Sequence, residues 1–303
     1  MKLRGIWLGC LLLLGFASTA FSQQIAITID DLPSHGALPP GMTRADVAKS
    51  IIGALGQAHA PKVYGFVNAK KLEQHPEEVE VLRLWRKAGF PLGNHTYAHL
   101  SLNDSSADQF DQNVAADEPE LKSLMGRQNW HWFRYPYLWE GDTLEKRHAV
   151  RQYLKDHKYH IAQVTLDFED YLWNAPYARC AEKNDAASIE WLKSSYMAAA
   201  TEYIALGQFE AKLIYGHDIR HVLLLHIGGF ETVMLPQLLD TLKRQGFRFL
   251  TLPDAEKDPA YKSDPDLAVK DGGTLLEQML VAKHLDLPAQ PEKPYDKLNA
   301  ICH

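Results

Sequence analysis

Short apolar runs alternate with longer amphipathic stretches over most of the chain. This alternation predicts a parallel α/β fold, and 303 residues are enough for a single α/β barrel. The stretch 235–252 is predicted to form a final helix, a glycine cap and a last strand. The other predicted strands are residues 25–29, 62–67, 160–166 and 221–226. The other predicted helices are residues 45–59, 77–88, 105–125, 144–157, 186–206 and 274–285.

The start of the chain departs from this pattern. The basic residues Lys2 and Arg4, an apolar stretch and then small residues predict a signal peptide over residues 1–22. Cleavage is expected after Ala20 or Ser22. The apolar part is short for a bilayer span, so no membrane span remains after signal removal. We therefore expect an exported protein, periplasmic or secreted.

Two further segments stand apart from the repeating pattern. Residues 174–220 are helix-prone and form an insertion between two strands, and residues 254–303 form a polar, proline-rich C-terminal extension. Each segment carries one of the two cysteines left after signal removal, Cys180 and Cys302. An exported protein can join them in a disulfide, although two unrelated buried thiols are an equally simple interpretation.

Composition excludes several classes of partner. The formal net charge is −6, from 38 acidic and 32 basic residues without long runs of one sign. This pattern predicts neither a nucleic-acid surface nor a patch for anionic membranes, and no protein partner is evident. The 14 histidines are many for this length, which favours metal or proton chemistry.

Reactive side chains fall at or just after the C-terminal ends of the apolar runs. In a parallel barrel or open sheet these ends share one face, and that face carries the active site. His95 and His99, four residues apart and predicted to lie on one helical turn, can direct two imidazoles at one metal ion. His217 and His221 have the same spacing but lack matching partners, so we interpret them as surface or strand-entry residues. The residues of this constellation are Asp30, Asp31, His95, His99, Arg134, Asp167, Asp170 and His226.

The adjacent carboxylates Asp30 and Asp31 suit a metal site. One of them can bind the ion, whose charge offsets their mutual repulsion, while the other stays free as a general base. His226 is suited to protonate a leaving group near neutral pH. Arg134 can keep the base ionised, and a carboxylate near His226 would keep that imidazole protonated. Together these groups predict metal-assisted acyl hydrolysis.

Five short motifs resemble those of the polysaccharide deacetylases, carbohydrate esterase family four, in the family's order. The resemblance covers about residues 24–253 and implies a distorted (β/α) barrel with a helical insertion before the last motif. It implies a catalytic domain over residues 23–253. The motifs are "TIDD" (28–31), "HTYAH" (95–99), "RYPY" (134–137), "DFEDYLW" (167–173) and "LLLH" (223–226).

The resemblance also implies a role for each matching residue. Asp31, His95 and His99 would bind a divalent metal, Zn²⁺ before Co²⁺ or another first-row ion. Asp30 would be the catalytic base and Arg134 its partner.

On the opposite side, His226 would be the catalytic acid. It would pair with Asp170, or with Asp167 as the second choice. The backbone N–H of Tyr137 would help to stabilise an oxyanion. Trp173 and Tyr171 would line the acyl pocket, with packing in the core as the alternative.

The function implied is removal of acetyl groups from an N-acetylated sugar polymer or oligosaccharide, resembling chitin or peptidoglycan. The same site could serve an O-acetyl esterase of the xylan type or a small-amide hydrolase, and a non-catalytic carbohydrate-binding protein is a further alternative. Two loops depart from the family, since 32–35 reads Leu-Pro-Ser-His after the aspartates and Leu138 stands where glycine is common. We leave His35 outside the predicted site, because a lone loop histidine is most often solvated.

Overall fold

The structure, a computed structural model, describes residues 23–268 and 270–303. The predicted signal peptide lies outside the described residues. Within these residues there are seven strands: β1 (Gln24–Leu32), β2 (Tyr64–Val67), β3 (Leu92–Asn94), β4 (Trp132–Phe133), β5 (His160–Ile161), β6 (Arg220–His226) and β7 (Arg248–Leu250). The helices are α1 (Arg44–Gln57), α2 (Lys71–Gln74), α3 (Val79–Lys87), α4 (Ala107–Met125), α5 (Leu144–Asp156), α6 (Asn174–Glu182), α7 (Ala186–Tyr215), α8 (Glu231–Arg244), α9 (Leu252–Ala255), α10 (Leu275–Ala282) and α11 (Tyr295–Ala300). Short 3₁₀ turns cover Pro76–Glu78, Pro136–Leu138, Asp170–Trp173 and Pro259–Lys262.

All seven strands run parallel in one curved sheet, in the order β5-β4-β3-β2-β1-β6. Strand β6 pairs along β1 from Gln24 to Asp30. The opposite edge of β1 is shared, because β7 pairs with its first residues and β2 with the residues from Thr28 onward. Strand β1 is apolar and buried from Ile25 to Leu32, as expected for a central strand with both faces covered.

The gap between β5 and β6 is nearly closed by the segment that follows β5. The predicted strand 160–166 is regular only at its start, over His160–Ile161. Beyond it, the Ala162 N–H donates to the Phe133 carbonyl, and Leu166 accepts from the Leu224 N–H. These bonds link both ends of the sheet and confirm the distorted barrel of the α/β class. The regular pairing of β5 with β4 is short because the segment after β5 leaves β4 and reaches β6 within a few residues.

Helices pack around the sheet much as their periodicity predicts. Helix α1 begins at a capping box in which Thr43 and Asp46 exchange side-chain and backbone hydrogen bonds, and it buries Val47, Ile51 and Leu55. The insertion is helical and consists of α6 and α7, the latter extending beyond the predicted end to Tyr215.

The C-terminal extension is fastened to the insertion. Cys180 of α6 and Cys302 form a disulfide with Cα atoms 5.1 Å apart, so the pairing that sequence left open is formed. The Arg179 guanidinium donates to the carbonyl oxygens of Leu298 and Ile301 beside it. Among the described residues, no helix is both long and apolar enough to cross a bilayer.

Candidate active site

The reactive residues meet at the carboxyl edge of the sheet, as their positions at strand ends predict. Asp30 lies opposite His226 in the β1–β6 register, and Asn94, which precedes His95, lies opposite Phe133, which precedes Arg134. The edge forms one wall of a cleft of about 1220 Å³. Asp30, Asp31, His95, His99, Tyr137, Asp167 and His226 all line it.

Asp31, His95 and His99 form a potential metal site. One ligand atom from each lies within 4.8 Å of the others. The Asp31 Oδ1 atom is 3.8 Å from His95 Nε2 and 3.5 Å from His99 Nε2. Although it is buried, Asp31 Oδ1 has no hydrogen-bond partner among the described residues, which leaves its lone pairs free for a cation.

Charge and tautomer at these three residues suit metal binding. His95 Nδ1 lies 2.8 Å from the Arg134 carbonyl, which fixes the N–H on that nitrogen and leaves Nε2 as the lone-pair donor. Burial lowers the pKa of His95 well below its usual range, so the imidazole is neutral, as a ligand must be. Burial opposes ionisation of Asp31, but the His35 hydrogen bond and the Lys71 charge prevail and hold its pKa well below normal. The three residues therefore fit a divalent cation.

The two histidines converge through a turn, and the predicted helical turn is wrong. After β3 the chain leaves the sheet as irregular backbone, and the residues between the histidines form a turn. The Asn94 carboxamide accepts from the Thr96 N–H, and Asn113 of α4 accepts from the Tyr97 and Ala98 N–H groups. These bonds replace those that a helix would have supplied.

Backbone strain concentrates at the same motifs. Several non-glycine residues here have φ between 52° and 68°, a region that L-residues rarely adopt. Such conformations persist only where surrounding contacts enforce them, and they cluster at functional sites. The residues concerned are Asp31, Thr96, His99, Tyr137, Leu138 and Glu169.

Asp30 and Arg134 form a buried ion pair beneath the metal ligands. Arg134 Nη1 lies 3.2 Å from Asp30 Oδ2, and both side chains are about 1% exposed. The guanidinium is fixed further by the Ala162 carbonyl and the Thr28 hydroxyl. Burial raises the pKa of Asp30 to about 6, although the Arg134 charge opposes this shift. A carboxylate with such a pKa can accept a proton near neutral pH.

His226 and Asp170 form the second pair. Asp170 Oδ1 accepts from His226 Nδ1 at 2.7 Å, and Oδ2 accepts from the His226 backbone N–H at 2.8 Å. Burial would lower the pKa of His226, but the Asp170 carboxylate prevails and raises it to about 10. Asp167 accepts instead from the Glu169 N–H, so Asp170 is the residue that contacts the imidazole.

The aromatic residues of the motifs divide between cleft and core. Trp173 is fully buried and donates its indole N–H to Ser195, so it lies in the core, as the alternative interpretation proposed, and not on the cleft surface. Tyr171 lines the cleft with its ring 5.1 Å from that of His226. Tyr137 is 54% exposed, and its ring packs against His99.

Sequence analysis missed two neighbours of Asp31. His35 Nδ1 lies 2.6 Å from Asp31 Oδ2, and its ring lies 5.1 Å from that of His226. Lys71 Nζ donates to the Asp31 carbonyl and lies 3.8 Å from its Oδ1. The spacing of four residues between Asp31 and His35 was a signal that could have been used. Nothing in the local sequence marks Lys71.

Comparison with known proteins places these features in context. A family model described as "Polysaccharide deacetylase" matches residues 18–162. A chitin deacetylase of Arthroderma benhamiae is 24% identical over 194 residues, 64% of this chain and 44% of its own. A chitin deacetylase of Colletotrichum lindemuthianum is 28% identical over 190 residues, 59% of this chain and 61% of its own. The chain thus spans about half the length of the curated relatives it matches.

Solved structures support the same fold. The Colletotrichum lindemuthianum chitin deacetylase has a TM-score of 0.52 at 23% identity, covering 77% of this chain and 88% of that one. A Bacillus anthracis protein described as a CE4 family pseudoenzyme has a TM-score of 0.53 at 16% identity, covering 78% and 66%. Because a pseudoenzyme shares the architecture, activity must be argued from the site residues.

Proposed function

We propose that this chain, which matches the polysaccharide deacetylase family model over residues 18–162, is a metal-dependent hydrolase that removes acetyl groups from an N-acetylated sugar polymer or oligosaccharide. The observation that carries the proposal is the presence in one cleft of a potential metal site, Asp31, His95 and His99, flanked by two buried acid–base pairs. A protein that only bound sugars would need no such pairs. We place its action outside the cytoplasm, following the predicted signal peptide.

Asp31, His95 and His99 would hold the metal, with zinc as the first candidate because two imidazoles and one carboxylate suit it. A bound divalent metal supplies Lewis-acid polarisation of the acyl carbonyl and lowers the pKa of a water molecule. Asp30 would accept a proton from the attacking water, and Arg134 holds the Asp30 carboxylate ionised and oriented for that role.

His226 acts on the opposite side of the acyl group. Its protonated imidazole donates from Nε2 to the departing amine nitrogen, while Asp170 holds Nδ1 and the backbone N–H. We assign stabilisation of the developing oxyanion to the Tyr137 N–H; Tyr137 has a positive φ, and its ring packs against that of His99. In this proposal Asp30 removes a proton from the water, and His226 delivers a proton to the leaving group.

The adjacent aspartates provide the test. We expect purified protein to carry about one divalent metal, measured by elemental analysis. Asp30→Asn should keep that metal and lower kcat/KM for acetate release by about 10²–10⁴-fold, because it removes the base. Asp31→Asn should lose the metal as well as the activity. Asp108→Asn, at an exposed position of α4, serves as the control.

Full activity of Asp30→Asn would contradict the proposed mechanism. Parallel assays on N-acetylated chitin oligomers, peptidoglycan, O-acetylated xylan and small amides would identify the substrate class. Preferential turnover of the xylan would favour the O-acetyl esterase over the N-deacetylase.

A further inference from the structure

We propose that residues 290–297 form a substrate-binding wall of the catalytic cleft, in which Tyr295 packs against a sugar ring remote from the reacting acetyl group. We call these residues the C-terminal wall. The preferred substrate is then an oligosaccharide of several units and not a single acetylated sugar. This inference rests on the proposed function for the class of substrate.

The size of the cleft supports a ligand of several sugar units. Its volume of about 1220 Å³ exceeds the range of about 300–1,000 Å³ typical of pockets for single small molecules. The sheet edge supplies one side, and every residue from 290 to 297 lines the cleft as well. The room beyond the acetyl group therefore lies against the C-terminal extension.

Contacts run continuously from the catalytic histidine to this wall. The His226 ring lies 5.1 Å from that of Tyr171, whose hydroxyl is 3.4 Å from Glu169 Oε1. The other oxygen of Glu169 accepts from the Tyr295 hydroxyl at 2.8 Å and from Lys293 Nζ at 2.5 Å. Tyr295 is thus separated from the reacting groups by one tyrosine and one carboxylate, so a sugar chain leaving the acetyl site can reach it.

The wall is held in place from behind. The Lys293 side chain is only 6% exposed, and its ammonium lies 4.2 Å from the centre of the Tyr203 ring. Tyr203 donates from its hydroxyl to the Pro291 carbonyl, and the Cys180–Cys302 disulfide fixes the end of the chain to α6. A wall ordered before binding costs less conformational entropy when the ligand arrives.

Tyr295 itself is free to meet a ligand. It is 47% exposed although its hydroxyl is fixed by Glu169, so the ring is oriented but uncovered. An aromatic face suits the C–H face of a pyranose ring, and Glu169 beside it can accept from sugar hydroxyls. Tyr295 and the rest of the C-terminal wall lie outside the stretch 18–162 that matches the family model, whereas Glu169 belongs to the motif at 167–173.

The experiment compares long and short ligands on Tyr295 variants of the full chain. Binding of the N-acetylglucosamine pentamer and monomer is measured by calorimetric titration, and acetate release from both gives kcat and KM. We expect Tyr295→Ala to weaken pentamer binding, and to raise its KM, about tenfold more than for the monomer. Tyr295→Phe, which keeps the ring, should retain most of the preference. Lys293→Met should reduce the preference by loosening the wall.

Phe209→Ala removes an equally exposed aromatic ring of α7 that does not line the cleft, and it should leave both ligands unaffected. Melting temperatures check that each variant is folded. Equal loss on pentamer and monomer, or no loss on either, would overturn the inference and leave the deacetylase proposal standing. Pentamer binding that depends on Tyr295 without acetate release would support the wall and sink the deacetylase proposal. If the wild-type protein bound the pentamer no more tightly than the monomer, the proposed binding role of the C-terminal wall would be wrong.

Discussion

His226 owes its charge chiefly to the Asp170 carboxylate, with smaller contributions from Asp31 and Asp30. Burial favours the neutral imidazole, yet Asp170 contacts both Nδ1 and the backbone N–H and raises the pKa of His226 to about 10. An acid with such a pKa remains protonated over the whole physiological range. It releases its proton only when the leaving amine, with a similar or higher proton affinity, develops beside it.

Asp170→Asn should therefore shift the pH dependence of deacetylation. His226 must be protonated to donate, so the basic limb of the kcat/KM profile follows its pKa. Loss of the adjacent negative charge lowers that pKa, and we expect the limb to move down by roughly one to three pH units. Asp167→Asn is the matched control, because Asp167 lines the same cleft but does not contact the imidazole, so the limb should move less. An unmoved limb in Asp170→Asn would exclude His226 as the acid.

The residues of the candidate site were predictable because they stand at strand ends, where the chain order alone places them on one edge. His35 was harder to predict, because its spacing of four residues from Asp31 is compatible with a contact but does not require one. Its contact with Asp31 depends on how the loop after β1 folds back, and the local sequence does not specify that path. Trp173 shows the opposite difficulty, because one aromatic residue suits a core and a pocket wall equally well until its burial is known.

At the level of elements, the hydrophobic pattern predicted most helices because each buries one consistent face, and it predicted strands such as β1 as short apolar runs because both of their faces are covered. It failed between His95 and His99, where a spacing of four residues suggested a helix. The turn is stabilised by Asn113, a residue of α4 far along the chain, so no local pattern could have indicated it. Site geometry of this kind is decided by tertiary hydrogen bonds.

Helix α7 carries a buried carboxyl without a full set of partners. Glu210 is 3% exposed, and its Oε1 atom has no hydrogen-bond partner among the described residues. Burial, assisted by the charge of Glu277, raises the pKa of Glu210 to about 8 from the usual 4.5. The folded chain thus keeps a proton that the unfolded chain releases near pH 4.5. The free energy of unfolding must fall as the pH rises from about 4.5 to about 8.

Glu210→Gln should remove this pH-dependent fall in the free energy of unfolding. We expect the variant to gain on the order of 1 kcal/mol over the wild-type protein at pH 8–9, and much less at pH 5. Urea denaturation at both pH values measures the difference. Glu202→Gln, at an exposed position of the same helix, should show no such pH-dependent gain. An equal effect of Glu210→Gln at pH 5 and pH 9 would show that Glu210 is ionised in the folded protein throughout.

At the scale of the whole molecule, the cleft joins parts that are distant in sequence. Apart from the helix predicted over 274–285, the extension beyond residue 253 is polar and rich in proline, and it carries no periodic pattern from which a packing face can be inferred. Its place at the cleft follows from single contacts, above all the pairing of Lys293 with Glu169 and the bond between Cys180 and Cys302. From the sequence, this segment can be predicted only to be an extension. Its position at the cleft is seen only in the folded structure.

The disulfide should be the strongest single link in this arrangement. It joins residues 122 positions apart, and closing a loop of that length restricts the unfolded chain far more than the folded one. We expect the Cys180→Ser/Cys302→Ser double variant to lose about 2–5 kcal/mol of unfolding free energy, seen as a lower urea midpoint at a similar slope. Reduction of the wild-type protein should reproduce the loss, and an unchanged midpoint would mean that the disulfide contributes nothing to global stability. Since disulfides persist in oxidising compartments, the same dependence would favour the proposed export over a cytoplasmic location.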